Sequence, residues 1–477
     1  MTDKYFKQHY WVFAIIILIS SCVTRKYQQP AVASSEKLFR DTAIVESNAI
    51  STVDSVSIAT LPYTTLFSDT ILQHLIETGI HENLDLKTAV ERMNEAQASF
   101  RQSELAFLPS LDANPNVSRV KQSRAALNLP ANFGSFPLTT MNYQLALSSS
   151  WEADIWGKLK SAKKAALANL LQSDAAVRAV QTQLIANIAG YYFQLLSLDE
   201  QLKVTEQTLK NRMDDTKTMQ ALKENAVVTG AAVMQSDANR YAAEVLIPDL
   251  KRSIRETENA LSVLLARIPG SIKRSTLDSQ VIYQQLQTGV SSLLMRNRPD
   301  IMQAEAGFRA AFENTNVART YFYPQFTLTA QGGLSTLQIE NLFNGFVFYS
   351  IVAGLAQPIF NKGQNKARLR IAEAQQKEAY YAYQQTLLKA GQEVSNALYA
   401  YQTSLEKQSS RVHQVSSLEK AVNYTKQLLE YSSATNYTDV LTSEQSLLSA
   451  RLSGVNDKLQ QLMAVVELYR SLGGGWH

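Results

Sequence analysis

The chain has 477 residues, with 46 Lys or Arg against 42 Asp or Glu, so a net charge of +4 is spread over a long sequence. It holds one cysteine, 18 glycines and 11 prolines, while Ala, Leu, Gln, Ser and Lys abound. That balance excludes a disulfide framework and a thiolate metal site, and with no basic run or aromatic-basic motif it gives no nucleic-acid partner. The length would ordinarily mean two or three domains. An elongated, repeat-built chain escapes that prior, and a composition suited to long helices favours one.

At the N-terminus, Lys4 and Lys7 precede an apolar run from Trp11 to Ile19. The run is too short for a bilayer span, which takes roughly 20 residues, but suits the core of an export signal. Leu18-Ile19-Ser20-Ser21-Cys22 reads as a lipoprotein cleavage site: residues 1–21 form the signal peptide and Cys22 receives the lipid. The competing reading is an ordinary signal peptide with an incidental cysteine. No second apolar run follows, so a membrane-embedded mature chain needs β-strands. Residues 22–80, rich in Ser, Thr and Gln, are read as a lipidated tether with some ordered wrapping.

From residue 81 the sequence divides into two repeats, 81–290 and 291–477, each with a medium helix, two strands, a long helix and a return helix. The first medium helix opens at Asn83-Leu84-Asp85, with Asp85 as its cap. The second opens at Arg298-Pro299-Asp300-Ile301, where Pro299 favours a helix start. Both end in an aromatic turn with a proline, Phe107-Leu108-Pro109 and Tyr321-Phe322-Tyr323-Pro324.

After each proline the period changes from 3.6 to 2. Strands are expected within 110–153 and within 325–357, with Phe326, Leu328 and Ala330 alternating with Gln325, Thr327 and Thr329, and Tyr143, Leu145 and Leu147 alternating with Gln144, Ala146 and Ser148. Their length suits a tilted crossing of a bilayer, although an edge of a soluble sandwich has the same pattern.

Long helices are expected over 158–225 and 362–430, with return helices over 231–267 and 438–471. Leu184, Ile188, Tyr191, Leu195, Leu198, Leu202, Thr205 and Leu209 recur at alternating spacings of four and three, as do Val394, Leu398, Tyr401 and Leu405, with Val412 and Val415 in phase. Such a heptad winds packed helices left-handedly. At 1.5 Å per residue the first long helix is roughly 100 Å, far more than one membrane. A cytoskeletal coiled coil explains the helices but not the paired hairpins.

Four strands cannot close a bilayer barrel, and open edges in lipid leave backbone groups unpaired at several kcal/mol apiece. A trimer supplying twelve is the simplest closure.

Arg298-Pro299-Asp300-Ile301 with Ala304-Glu305, Tyr323-Pro324, Pro358-Ile359-Phe360, Tyr431 with Val440-Leu441, and the ending Leu472-Gly473-Gly474-Gly475-Trp476 together resemble the TolC-like outer-membrane efflux proteins, in their lipid-anchored OprM/NodT branch. The likeness runs from about Leu75 to Trp476. It implies an α+β membrane protein: a homotrimer with a 12-stranded outer-membrane β-barrel continued by a 12-helix periplasmic α-barrel. It also implies a periplasmic adaptor (membrane fusion) protein, an inner-membrane RND-type transporter and contact with outer-membrane lipid. The expected function is export of drugs or other small toxic compounds, with an exit duct for type I protein secretion as the alternative.

The resemblance places the periplasmic constriction where the long helices turn back. Relatives carry a carboxylate just after the Val-Leu pair, where this chain has Thr442, and some carry one before it, which Asp439 matches. Asn436 stands where some have arginine, and Ala232 where many have an acid. A gate latched by several salt bridges is therefore not expected. The gate candidates are Asp439, Tyr431, Asn436, Thr438, Thr442 and Ala232. The adaptor-contact turns are Val228, Thr229 and Gly230, and Ser433, Ala434 and Thr435. Two readings of Asp439 stand open: a lumen-facing ring of like charges, which would favour cations, or a first-turn complement to the helix dipole, with Thr435 or Asn436 as cap.

No catalytic pattern competes. His9, His74, His81, His413 and His477 are scattered, and no P-loop, nucleophile elbow or dinucleotide fingerprint is present. Gly473 to Gly475 follow a helix, so they read as a breaker rather than a phosphate cradle. No metal and no cofactor beyond the lipid on Cys22 is expected.

Overall fold

A computed structural model describes residues 24–30, 58–123, 138–281, 297–345, 347–431 and 437–476. Cys22, Asn436 and the adaptor-contact candidates Ser433, Ala434 and Thr435 lie outside them. In chain order the main elements are α1 (Thr70–Glu82), α2 (Leu84–Leu105), β1 (Ser110–Lys121), β2 (Thr139–Ala153), α3 (Lys158–Glu224), α4 (Gly230–Glu244), α5 (Leu246–Leu264), α6 (Pro299–Thr320), β3 (Gln325–Thr336), β4 (Val347–Ala356), α7 (Gln364–Tyr431) and α8 (Tyr437–Ser471).

The chain forms two compact units, one of residues 1–30, 94–172 and 305–382, the other of 31–93, 173–304 and 383–477. The boundary at 290/291 thus separates sequence repeats and not compact units. The physical reason is the register of the sheet: β2 of the first repeat pairs directly with β3 of the second, so neither repeat closes on itself.

The first unit is built on one antiparallel sheet in the order β1-β2-β3-β4. Its register sorts side chains cleanly, because cross-strand partners share a face. Ala113, Leu147 and Gly332 with Tyr349 lie in one row, and Leu111, Ser149 and Ala330 with Ile351 in another. That face also carries Val117, Leu145, Trp151, Leu328 and Leu355, all exposed in the single chain. The opposite face presents Asp112, Ser148 and Gln331 with Ser350 in one row, and Asn114 two residues along β1 on the same face. There Asn114 Nδ2 donates to Ser148 Oγ at 2.7 Å and Ser335 Oγ to Asn142 Oδ1 at 3.0 Å.

Strands pass into helices through an aromatic joint. Trp156 Nε1 donates to the Pro324 carbonyl at 2.6 Å and its ring lies 5.0 Å from that of Tyr323. Arg368 stacks 3.9 Å over Tyr321. Gly157, at φ +73°, makes the sharp turn into α3, where Asp154 accepts from the Leu159 and Lys160 amides at 2.9 Å each. The segment 24–30 lies on α6. Asn316 exchanges two hydrogen bonds with the Arg25 backbone, and Tyr27 sits among Phe308, Phe312 and Arg309 with its hydroxyl on Glu305. Burial pushes the Glu305 carboxyl above its usual range despite that hydrogen bond.

The second unit is helical. Its core gathers Leu72 and Ile76 of α1, Ile185, Ile188, Tyr192, Leu195 and Leu196 of α3, Leu261 of α5, and Leu468 and Leu472 around the end of α8. Within the described part of the tether and wrapping segment, α1 buries Leu72 and Ile76 completely. Its Asp69 cap accepts from the Ile71 amide at 2.9 Å, from Tyr192 Oη at 2.6 Å and from Gln280 Nε2 at 2.8 Å. Those bonds, with one from Ser275, outweigh burial and hold the Asp69 carboxyl below its usual range, while burial pushes the Tyr192 hydroxyl up to about 12.

Two expectations change here. Asn83, not Asp85, caps α2, its Oδ1 accepting from the Leu86 amide at 2.9 Å while its Nδ2 donates to the Leu264 carbonyl. The return helix 231–267 is two helices, α4 and α5. Pro248 has no N–H to offer the Glu244 carbonyl. Val245 between them keeps helical dihedrals, φ −63° and ψ −28°, so the chain continues rather than stops.

Candidate functional site: the helical turns

Where α3 turns into α4 the backbone closes a left-handed helix cap. Ala226 takes φ +58°, Val227 N donates to the Leu222 carbonyl and Ala226 N to the Lys223 carbonyl, both at 2.9 Å. Thr229 then caps α4, its hydroxyl accepting from the Ala232 amide at 3.4 Å, and Gly230 is the first helical residue. An L-residue in the left-handed region costs about 1–2 kcal/mol, which glycine does not incur. Ala226→Gly is accordingly expected to stabilise the turn by about 1 kcal/mol and raise the thermal unfolding midpoint followed by circular dichroism.

The two turns share an apolar cluster. Met219 of α3, Val233 of α4 and Tyr437, Val440 and Leu441 of α8 are buried together, with Leu222, Val228, Ala232 and Leu429 packed around them. Val440 and Leu441, the pair that locates the second turn in the sequence, are therefore core residues of this cluster. Ala232 is small because it fits here, and a carboxylate in its place would have to be accommodated against apolar neighbours.

Away from the turns a polar layer replaces the apolar one. Lys426 Nζ of α7 lies 3.0 Å from Asp215 of α3 and 2.6 Å from Glu444 of α8. Arg212 of α3 donates to the Asn239 carbonyl of α4 at 2.6 Å and to Gln445 of α8 at 2.9 Å. Thr216 and Ser236 hydroxyls meet at 3.0 Å. Burial lowers the Lys426 ammonium, but the Glu444 and Asp215 carboxylates outweigh it and raise its proton affinity. Burial, with repulsion from Asp215, likewise holds the Glu444 carboxyl above its usual range against the pull of Lys426. Within the single chain both hairpins are tied together by Lys426.

The remaining candidates are placed as follows. Asp439 is exposed in the first turn of α8, with its carbonyl accepting from Ser443 Oγ at 2.9 Å. Thr442 Oγ1 donates to the Thr438 carbonyl at 2.9 Å, and both side chains are exposed. Tyr431 is the last residue of α7 and is 80% exposed. Among the described residues, no group of three or more His, Cys, Asp or Glu is placed to hold a metal ion. No described helix is long and apolar enough to cross a membrane.

Comparison with known proteins decides the family. The model described as outer membrane efflux protein matches residues 75–267 and 290–474. The chain belongs to the outer membrane efflux protein family. It is 30% identical over 411 residues to the pyoverdine export outer membrane protein OpmQ of Pseudomonas putida, covering 86% of this chain and 87% of that one. It is 27% identical to the cation efflux system protein CusC of Escherichia coli, over 97% of this chain and 98% of CusC. Among solved structures, the outer-membrane channel OprN matches with a TM-score of 0.85 at 25% identity, over 95% of this chain and 100% of that one. The open state of the Neisseria gonorrhoeae MtrE outer membrane channel matches with a TM-score of 0.82 at 27% identity, over 95% and 98%. The fold is that of the trimeric TolC-like channels, and the protein is an outer-membrane efflux channel that extends into the periplasm.

Family motifs then acquire physical reasons. Arg298, 4% exposed, holds Asp300 through two bonds, Glu393 at 2.9 Å and the Ser471 carbonyl at 2.6 Å. Trp476 donates to the Asn297 carbonyl at 3.0 Å and carries Arg178 over its ring at 4.5 Å. The glycines end α8 as expected: Gly473 sits at φ +85°, and a Cβ there would lie 2.5 Å from the Asn297 carbonyl oxygen.

Proposed function

We propose that three copies of this chain form a water-filled duct through which small toxic compounds leave the cell. In it, three four-stranded sheets close as a 12-stranded barrel above a 12-helix periplasmic barrel. The supporting observation is the sheet itself: one apolar face, one polar face, and two outer strands whose far edges no other described strand of the chain covers. Such edges are tolerated in lipid only when another copy pairs with them.

A periplasmic adaptor and an RND-type inner-membrane transporter are the partners this reading requires, with Val228, Thr229 and Gly230 and the turn Ser433, Ala434 and Thr435 as the adaptor contacts. Relatives include a pyoverdine exporter, a cation efflux protein and a solvent efflux pump component from Pseudomonas putida, which supports small-molecule or ion cargo. Type I protein secretion is the second reading. A deletion strain grown on dyes, detergents, antibiotics and metals and compared for its secreted proteins separates the two: sensitivity with an unchanged secretome supports efflux. The duct needs no catalysis and no cofactor.

Cys22 is the lipid-bearing residue in this reading. Its support is the neighbouring segment, because Thr24 lies against Gly157 at the aromatic joint between strands and helices. Tryptophan and tyrosine collect at membrane interfaces, so a lipid two residues earlier would enter the membrane at that level.

At the gate, Asp439 from three copies forms a ring that favours cations. Its exposure and its position beside the buried Val440 support the ring, while its first-turn position also satisfies the helix dipole. Asp439→Asn in the reconstituted trimer is expected to lower cation selectivity at resting current. Unchanged selectivity leaves only the dipole role.

A further inference from the structure

A regular apolar stripe runs along the exposed side of α4, opposite the side that packs inward. Ala231, Met234, Ala238 and Tyr241, with Val245 at the junction with α5, follow one another at spacings of three and four. All are exposed, Met234 by 63% and Val245 by 65%. The inward positions, Val233, Ser236 and Ala243, are buried. A strict seven-residue period on an exposed face is the seam of a coiled coil, so what covers it is another α-helix.

A second stripe with the same beat lies on the last turns of α7. Ser417, Ala421, Tyr424 and Leu428 are separated by four, three and four residues, and Tyr431 continues the spacing. Tyr424 is 59% and Leu428 43% exposed. α7 runs towards its turn and α4 away from its own, and the two turns share one cluster. Laid antiparallel with the turns at one level, the stripes coincide residue for residue. Val245 then faces Ser417, Tyr241 faces Ala421, Ala238 faces Tyr424, Met234 faces Leu428 and Ala231 faces Tyr431.

Three of those five layers set a tyrosine against an alanine, which fills the space between two close helices without overlap. The flanking charges agree as well. Glu244 and Lys420, both exposed, occupy the flanking positions that meet across an antiparallel pair. Among the described residues, neither forms an ion pair within the chain.

We infer that α4 of one copy packs in this register against the last turns of α7 of a second copy, making an intersubunit seam beside the gate. The inference rests on the trimeric reading given above. The seam joins the two hairpins of neighbouring copies as the Lys426 layer joins the two hairpins of one copy. Its layers carry little charge, so it closes by shape and parts without breaking a buried ion pair.

The test is disulfide mapping in outer membranes with the full-length chain. One tagged copy carries Ala238→Cys and a co-expressed copy with another tag carries Tyr424→Cys. The unsubstituted chain controls for Cys22. Mild oxidation is expected to give a dimer band bearing both tags on a denaturing gel, and an offset pair, Ala238→Cys with Ser417→Cys, is expected to give none. An intact trimer on an unheated gel with no such band overturns the seam, as does equal cross-linking of the offset pair. So does a cross-link that forms only when both cysteines are on one copy. Absence of any trimer from the unsubstituted chain overturns the trimeric reading, and the seam with it. Independently of cysteine chemistry, Glu244→Lys and Lys420→Glu are each expected to lower the temperature at which the trimer dissociates, and the double exchange to restore it. A double variant no better than either single one counts against the register.

Discussion

Arg298→Ala is expected to destabilise the helical unit by about 3–5 kcal/mol, the loss seen when one partner of a buried ion pair is removed. The guanidinium ties three separate stretches of the unit at once: the start of α6 through Asp300, mid α7 through Glu393, and the end of α8 through the Ser471 carbonyl. Burial lowers its proton affinity, but the Asp300 and Glu393 carboxylates more than restore it, so the charge is held rather than surrendered. Removing it strands the Ser471 carbonyl inside the protein and leaves Glu393 with Arg470 at 3.3 Å. That second cation places the loss towards the lower end, about 3 kcal/mol. Arg298→Lys is expected to recover part of it, since an ammonium supplies charge but not the planar fork that Asp300 accepts. Thermal unfolding of the detergent-extracted protein, with the amount of trimer reaching the outer membrane, reads both variants. An Arg298→Ala protein as stable as the parent would mean that the bonds at this corner are incidental to the fold.

The same corner shows what the sequence could and could not disclose. Arg298-Pro299-Asp300-Ile301 was conspicuous as a helix start, and the helix begins at Pro299. Nothing in those four residues names Glu393 or Ser471 as partners, because both lie far along the chain and carry no local signal. The strands were legible because alternation is local. Their faces followed from residue types alone, whereas the direct pairing of β2 with β3 across the repeats did not. Propensity also misdirected the capping choice: Asp85 and Asn83 are both good cap residues, and the winner is the one whose amide also reaches the Leu264 carbonyl.

The polar layer near the turns left a trace that periodicity could have caught. Continuing the four-three spacing past Leu209 puts Arg212, Thr216 and Met219 on the seam of α3, and continuing it past Val415 puts Lys426 on the seam of α7. Met219 is buried as such a position demands. A charge at a seam position normally destabilises, so it signals a specific partner, here Asp215 with Glu444 for Lys426. Ala226 left no trace at all. Its left-handed backbone is imposed by the turn, and an alanine there looks like any helix former.

A lysine in place of Ile351 is expected to cost about 2–4 kcal/mol in each copy, the range measured for a cation at mid-membrane on the lipid side of a barrel. Ile351 lies midway along β4, opposite Ala330, in the row that continues through Ser149 to Leu111. Its neighbour Ser350 belongs to the other face, in the row of Gln331, Ser148 and Asp112 toward the proposed lumen. Ser350→Lys therefore puts the same charge one residue away into water, where it is expected to leave assembly intact. A conductance shift toward anions should follow, because the ring of three cations lies along the ion path. The pair forms a single test of the faces: each 1.4 kcal/mol is a factor of ten in a folding or assembly equilibrium, so Ile351→Lys should deplete trimer at least tenfold in membranes. Equal depletion by both variants would mean that the strands are not a barrel wall with one face in lipid. The reverse order would mean that the apolar face looks inward, and the closure of three sheets around a wet lumen would fail with it.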